Sequence, residues 1–385
     1  MSATSELTAP AVAAAAQALR SVVRETPIEH SERLSEDLGT DVWLKREDLQ
    51  IGRSYKVRGA YNLISSLTPA EKRLGVTCAS AGNHAQGVAF SCRALGIHGK
   101  VFVPTSTPRQ KRDRITAIGR PWVDLVLAGA NYDEASTAAL DDAAATGSIY
   151  VHPFDDVRTI AGQGTVAVEL SEQCGAGMGT VIVPVGGGGL IAGIAVWLKE
   201  HAPDVRIVGA EPAGAASMAA ALAAGGPVPL DHVDSFVDGA AVGTVGRLTY
   251  PIVSDLVDEM VSVPEGAVCT ELLDLYQTEG IIAEPAAALA SAAARRLPKG
   301  RGPVVCIVSG GNNDVSRYAD IVERSLLFEG LKHYFLVTFP QEPGALRQFL
   351  DGILGPDDDI ALFDYVKKNN RETGPALVGI ELARA

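Results

Sequence analysis

The chain predicts an α/β protein built on parallel sheets, followed by a small α+β segment. Three observations predict it. Short β-branched runs alternate with helical stretches from about residue 42 to residue 325. Those runs are continuously apolar, as strands are when helices cover both faces of a sheet. After Phe328 the pattern changes to the alternation of a half-exposed strand.

Taken in order, Val42–Lys45 reads as a strand and Lys56–Leu67 as the helix after it. Val76–Cys78 precedes a helix at Asn83–Leu95, Val101–Pro104 precedes Pro108–Ile118, and Val123–Leu127 precedes Tyr132–Ala145. Ile149–His152 leads into Ile160–Ser171, Thr180–Val185 into Leu190–His201, and Val205–Gly209 into Gly214–Ala223. Val304–Val308 leads into Val315–Ser325. In sheets of this kind ligands sit beyond the carboxyl ends of the strands. The tail reads as βαββ: strand His333–Phe339, helix Pro343–Leu350 with Pro343 near its first turn, and strands Ile360–Val366 and Ala376–Leu382.

At 385 residues, the chain is long enough for two or three domains. With 47% hydrophobic and 21% charged residues it is of ordinary globular composition. Its net charge of −13 and the lack of a Lys/Arg run argue against nucleic acid. No two of Cys78, Cys92, Cys174, Cys269 and Cys306 stand at CxxC spacing, which argues against a zinc site or disulfide framework and fits a reducing cytoplasm. The apolar run Ala11–Ala16 is too short for a signal peptide and is read as an amphipathic helix. Pro212 to Leu230 carries no charge, but Pro212, Gly225, Gly226 and Pro227 break it, so no membrane span is expected.

Four short stretches could carry chemistry. Lys56, in Ser54-Tyr55-Lys56-Val57-Arg58-Gly59-Ala60, starts a helix. Such a lysine is ordinarily a solvated surface residue, but its amine could also condense with an aldehyde cofactor. Ser80-Ala81-Gly82-Asn83-His84 opens a helix and is either a plain cap or an anion site for a carboxylate. Gly186-Gly187-Gly188-Gly189-Leu190 lies between a buried strand and an apolar helix, where a turn without side chains suits a phosphate. The same stretch offers a rival: Gly187, Gly189 and Ala192 fit G-x-G-x-x-A, with Glu211 ending the next strand, as in an NAD site. Ser309-Gly310-Gly311-Asn312 ends the strand Val304–Val308 and could present a neutral hydroxyl to a ring nitrogen.

Together and in this order, with Leu44-Lys45-Arg46-Glu47-Asp48-Leu49-Gln50 upstream, these stretches resemble the fold-type II (tryptophan synthase β-like) pyridoxal phosphate (PLP) enzymes, and among them the threonine dehydratases. The resemblance runs from about Thr26 to Ser325. Gly330 to Phe335 with Pro343-Gly344-Ala345-Leu346 resembles the ACT-like regulatory domain fused to some of them. It implies a catalytic domain over 1–328, with a small subdomain at about 57–155, and a partial regulatory domain over 329–385. An ACT-type unit is βαββαβ, so the βαββ read here is expected to leave an apolar face and a sheet edge uncovered.

The resemblance also implies roles. Lys56 is the Schiff-base lysine and general base. Asn83 partners the cofactor phenolate oxygen, Gly186, Gly187, Gly188, Gly189 and Leu190 cradle its phosphate, and Ser309 faces its ring nitrogen. Ser80, Ala81, Gly82, Asn83 and His84 receive the substrate. Glu211, Ala215 and Ser217 hold a monovalent cation such as K+. The implied reaction is deamination of L-threonine, and of L-serine, to 2-oxobutanoate or pyruvate and ammonia, the entry to isoleucine synthesis. Isoleucine is the implied effector and a homo-oligomer, dimer or tetramer, the implied assembly. Ser309 cannot protonate the ring nitrogen as a carboxylate would, which disfavours transamination. Ala81 stands where serine racemases of this group carry a second serine, so racemisation is expected to be poor. The rivals are serine dehydratase or β-replacement chemistry on the same fold, an NAD-dependent oxidoreductase, and a non-catalytic amino-acid sensor.

Overall fold

The computed structural model describes residues 7–298, 302–366 and 371–384. It divides into two units, one of residues 1–265 and 275–313, the other of 266–274 and 314–385.

The first unit holds two sheets. The larger runs in the order Ile28–His30, Val42–Arg46, Val304–Val308, Thr180–Pro184, Arg206–Pro212, Glu259–Val263. Its first pair is antiparallel and every other pair parallel. The smaller, Val123–Leu127, Gly99–Val103, Val76–Ala79, Ile149–Tyr150, is parallel throughout. Strands Thr180–Pro184 and Val304–Val308 are buried at every position, which explains their continuous apolar runs.

The chain crosses between the sheets twice. Lys56–Ser65 leads from the large sheet to the small one, and Val157–Cys174 leads back. The two crossing helices pack together: Asn62 Nδ2 donates to the Arg158 carbonyl at 2.7 Å and Arg58 to Thr165 Oγ1 at 3.2 Å. Beneath them lies a buried ion network. Arg58 bonds Glu47 at 2.7 Å and Glu169 at 2.7 Å, and Lys45 bonds Glu169 at 2.6 Å. Burial alone would raise the Glu47 pKa, but the Arg58 guanidinium holds it below its ordinary value. Removing one partner of such a cluster strands a buried charge and costs about 3–5 kcal/mol. Arg58 thereby fixes the helix turn that starts at Lys56.

In the second unit Lys332–Pro340, Thr373–Glu381 and Asp359–Tyr365 form an antiparallel sheet in that order. The helix Ala345–Ile353 covers one face, where Phe339, Phe349, Val378 and Ile380 make the core. The helix starts after Gly344, so Pro343 lies outside it rather than in its first turn. Residues 314–328, assigned by the sequence to the catalytic part, cluster here with 266–274. The ties are specific: Lys332 Nζ reaches Glu323 at 2.6 Å and Glu381 at 2.9 Å, and Thr270 shares a 2.9 Å hydrogen bond with Ser325.

Other boundaries move by a few residues. The strand expected at Ile149–His152 ends at Tyr150, and the helix expected at Gly214–Ala223 is a 3-10 turn at Ala213–Ala215 followed by Ser217–Ala224. Val315–Arg317 is likewise a 3-10 turn before the helix Tyr318–Phe328. Among the described residues no helix is long and apolar enough to cross a membrane.

Candidate active site

Lys56 opens its helix at the crossing between the sheets, and its Nζ donates to the Pro153 carbonyl at 3.0 Å. Burial lowers its pKa to about 8, against the opposing pull of Glu284. A narrow cavity is lined by Lys56, Tyr55, Phe154, Gly186 to Leu190, Gly239 and Val242. The sequence-separated lysine and glycine run therefore share one space.

The glycine run ends the strand Thr180–Pro184 and starts the helix Gly189–His201, whose first N–H groups have no partner within the helix. Gly188 has φ +92°, which a residue with a Cβ adopts only under strain. A Cβ on Gly187 would fall inside the Phe154 ring.

Asn83 begins its helix behind Gly82, and its amide is held at both ends. Its Nδ2 donates to Glu284 Oε1 at 2.6 Å, and its Oδ1 accepts from Asn312 Nδ2 at 2.7 Å. One Nδ2 hydrogen is left for a ligand. Burial, then repulsion by Asp238, pushes the Glu284 carboxyl up to about 7. Ser309 is buried, and its carbonyl accepts from the Tyr55 N–H at 3.2 Å, so its loop is tied to the residue before Lys56.

The remaining expected residues divide. Ser80 Oγ accepts from the Gly82 N–H at 3.2 Å and shapes the turn. Ala81 packs against the core of the small sheet. The His84 Nε2–H donates to the Val151 carbonyl at 2.7 Å. Burial lowers its pKa to about 3, so the ring is neutral. The Glu211 carboxylate accepts from the N–H groups of Met218 at 2.6 Å and Ala219 at 2.9 Å, and burial pushes it up to about 7. Ala215 is buried in the 3-10 turn, and Ser217 Oγ is buried with no hydrogen-bond partner among the described residues.

The arrangement offers an amine and a glycine-lined helix start on one cavity, and an amide clamped between Glu284 and Asn312. Residues 19–310 match the family described as pyridoxal-phosphate dependent enzyme, and residues 323–385 match the C-terminal regulatory domain of threonine dehydratase. Over 374 residues the chain is 60% identical to the biosynthetic L-threonine dehydratase IlvA of Mycobacterium tuberculosis, covering 96% of this chain and 87% of that one. The chain belongs to the biosynthetic threonine dehydratases, a pyridoxal-phosphate dependent family. Among solved structures it is similar to the processed form of threonine deaminase isoform 2 from Solanum lycopersicum. That match has a TM-score of 0.77 and 40% identity, and covers 82% of this chain and 92% of that one. It is also similar to maize serine racemase, at TM-score 0.76 and 30% identity, covering 84% and 99%.

The fold of this threonine dehydratase is thus fold-type II, and its cofactor is pyridoxal phosphate. The residues present fit that group. Lys56 supplies an amine for its aldehyde. The start of the helix Gly189–His201 supplies N–H groups for a dianion, and the glycines keep side chains out of its way. The NAD reading falls with this family, and Glu211, its ribose acceptor, caps the helix Ser217–Ala224.

Sequence reasoning missed Glu284, Pro153, Phe154, Asp155 and Thr249. The one local signal for Glu284 is that it stands before Pro285, an acidic residue just ahead of a helix whose first residue is a proline. The others lie in loops whose partners are far away in sequence.

Proposed function

We propose that the protein deaminates L-threonine, and L-serine as a second substrate, by β-elimination of water. The products are 2-oxobutanoate or pyruvate, with ammonia. The observation that carries this reading is the shared cavity of Lys56 and Gly186–Leu190. Its closest competitors are serine dehydratase and β-replacement chemistry on the same fold.

When bound, pyridoxal phosphate supplies an electron sink that acidifies the substrate Cα–H. In this reading the Lys56 amine would hold the aldehyde of the cofactor, and Nζ would be the base that takes the substrate Cα proton. A pKa near 8 keeps a useful share of that amine neutral at physiological pH. The Pro153 carbonyl holds Nζ in place beside the glycine run. Gly186 to Leu190 would hold the phosphate through backbone N–H groups, Asn83 would offer its remaining amide hydrogen to the phenolate oxygen, and Ser309 would supply a neutral hydroxyl to the ring nitrogen. The backbone of Ser80 to Asn83 receives the substrate carboxylate. Overall the substrate loses its Cα proton and β-hydroxyl together as water, and the resulting enamine takes up water to give the 2-oxo acid and ammonia.

Glu211, Ala215 and Ser217 are read as the seat of a monovalent cation such as K+. The buried Glu211 carboxyl, raised by that burial, and the orphaned Ser217 hydroxyl, one residue before the N–H groups that Glu211 accepts, both suit a positive partner. Replacing K+ by tetramethylammonium is expected to lower the melting temperature of the parent and leave Glu211→Ala unmoved; equal responses would reject the site. The C-terminal unit is read as the receptor of isoleucine, the enzyme as a homo-oligomer, and the compartment as the cytoplasm. The match of residues 323–385 supports the first, and four buried cysteines suit a reducing compartment.

The test is an absorption spectrum before and after borohydride, beside Lys56→Ala. A reducible near-visible band is expected only with Lys56. Turnover of threonine, serine and O-acetylserine, with and without isoleucine, then ranks the chemistries. Faster β-replacement than deamination, or an appreciable racemase rate despite Ala81, would overturn the reading.

A further inference from the structure

We infer that Thr249 is a positioning residue of the phosphate cradle: its hydroxyl fixes the Gly187 carbonyl so that the Gly188 N–H is turned into the cavity that Lys56 lines. This rests on the reading of the glycine run as that cradle.

Thr249 is fully buried at the first residue of the helix Thr249–Leu256. Its Oγ1 donates to the Gly187 carbonyl at 2.6 Å, and the Gly246 N–H donates to the same oxygen at 3.3 Å. In a trans peptide unit the C=O and the following N–H point in opposite directions. A carbonyl held from the Thr249 side therefore sends the Gly188 N–H the other way. Gly188 takes φ +92° to follow this path, and a Cβ on it would meet Thr249 Oγ1 at 2.8 Å and Met218 Cε at 2.7 Å.

The segment carrying Thr249 is itself pinned. Asp155 accepts from the N–H groups of Arg247 at 3.0 Å and Leu248 at 2.8 Å. Asp155 follows Phe154, whose ring lies against Gly187, and Pro153, whose carbonyl takes Lys56 Nζ. One five-residue loop, His152 to Asp156, thus registers the amine end of the site against its phosphate end.

The test is reconstitution of the cofactor-free full chain with pyridoxal phosphate and with pyridoxal, which lacks the phosphate, together with the 31P resonance of the bound cofactor. Thr249→Val keeps the shape and removes the donor; Thr249→Ser keeps the donor. The expected result is that Thr249→Val weakens pyridoxal phosphate about tenfold, the worth of one hydrogen bond. It should leave pyridoxal unchanged and shift the 31P line, while Thr249→Ser returns both to the parent's values. Undiminished affinity for pyridoxal phosphate in Thr249→Val would overturn the inference, as would an equal loss for both ligands, the mark of a merely structural residue. A parent that binds the two ligands alike would instead sink the cradle reading on which it rests.

Discussion

Glu284 concentrates the electrostatic tension of the site in one side chain. Its carboxyl is buried, receives the Asn83 amide at 2.6 Å, and is pushed from an ordinary 4.5 up to about 7 by burial and then by Asp238. A pKa raised in the folded state means that the native protein binds the extra proton between pH 4.5 and 7. The contribution of Glu284 to stability is therefore fully present below pH 4.5, falls as pH rises through that window, and is lost above it. The fall is worth on the order of 3 kcal/mol. Glu284→Gln has no such proton, so its stability relative to the parent should improve from pH 5 to pH 7.5 in urea melts at fixed cofactor. Parallel curves would show that Glu284 does not titrate there. Its importance could not be read along the chain, because its partner lies 201 residues away. Lys56 and Gly186–Gly189, which line one cavity, stood out in the sequence only as members of four stretches taken together.

At the scale of elements, the strand–turn–helix junctions set the chemistry. The glycine run is such a junction, and the packing of Phe154 against it leaves no room for a side chain. Gly187→Ala is expected to displace that ring, at about 1–3 kcal/mol for overpacking, and to release cofactor. Retention of the parent's near-visible absorbance per chain after dialysis would contradict this. The junctions could be read because a continuous apolar run followed by glycine or serine has few other meanings. The stretch between residues 231 and 298 could not. It holds helices Thr249–Leu256, Glu265–Gln277 and Pro285–Ala294 and the strand Glu259–Val263. Pro285–Ala294 is buried at every position and consists of alanine but for one proline, one leucine and one serine. A helix covered on all sides shows no polar face, so no 3.6-residue period marks it. At the C-terminal end the helix Tyr318–Phe328 continues the βα rhythm in sequence, while in space its Glu323 is committed to Lys332.

On the scale of the whole molecule, the order of strands in the large sheet has a consequence for how the chain is made. Val42–Arg46, near the start, pairs in parallel with Val304–Val308, near the end of the first unit. The small sheet, by contrast, draws on the unbroken stretch 76–150. A ribosome emitting about 5–20 residues per second leaves the early strand without its neighbour for roughly 10–50 s. During that interval the small sheet is free to form, while the hydrophobic edge of Val42–Arg46 waits exposed. Stalled nascent chains ending near residue 200 should therefore show protease protection within 76–150 and none within 28–46. Simultaneous protection of both would mean that the early strand finds a temporary partner. Lys56 stands between these regions, so the half-site it belongs to is born first and the loop bearing Ser309, bound to the residue before Lys56, arrives last. Competence to capture cofactor is on this account a late event in the life of the polypeptide, timed by translation rather than by the supply of the vitamin.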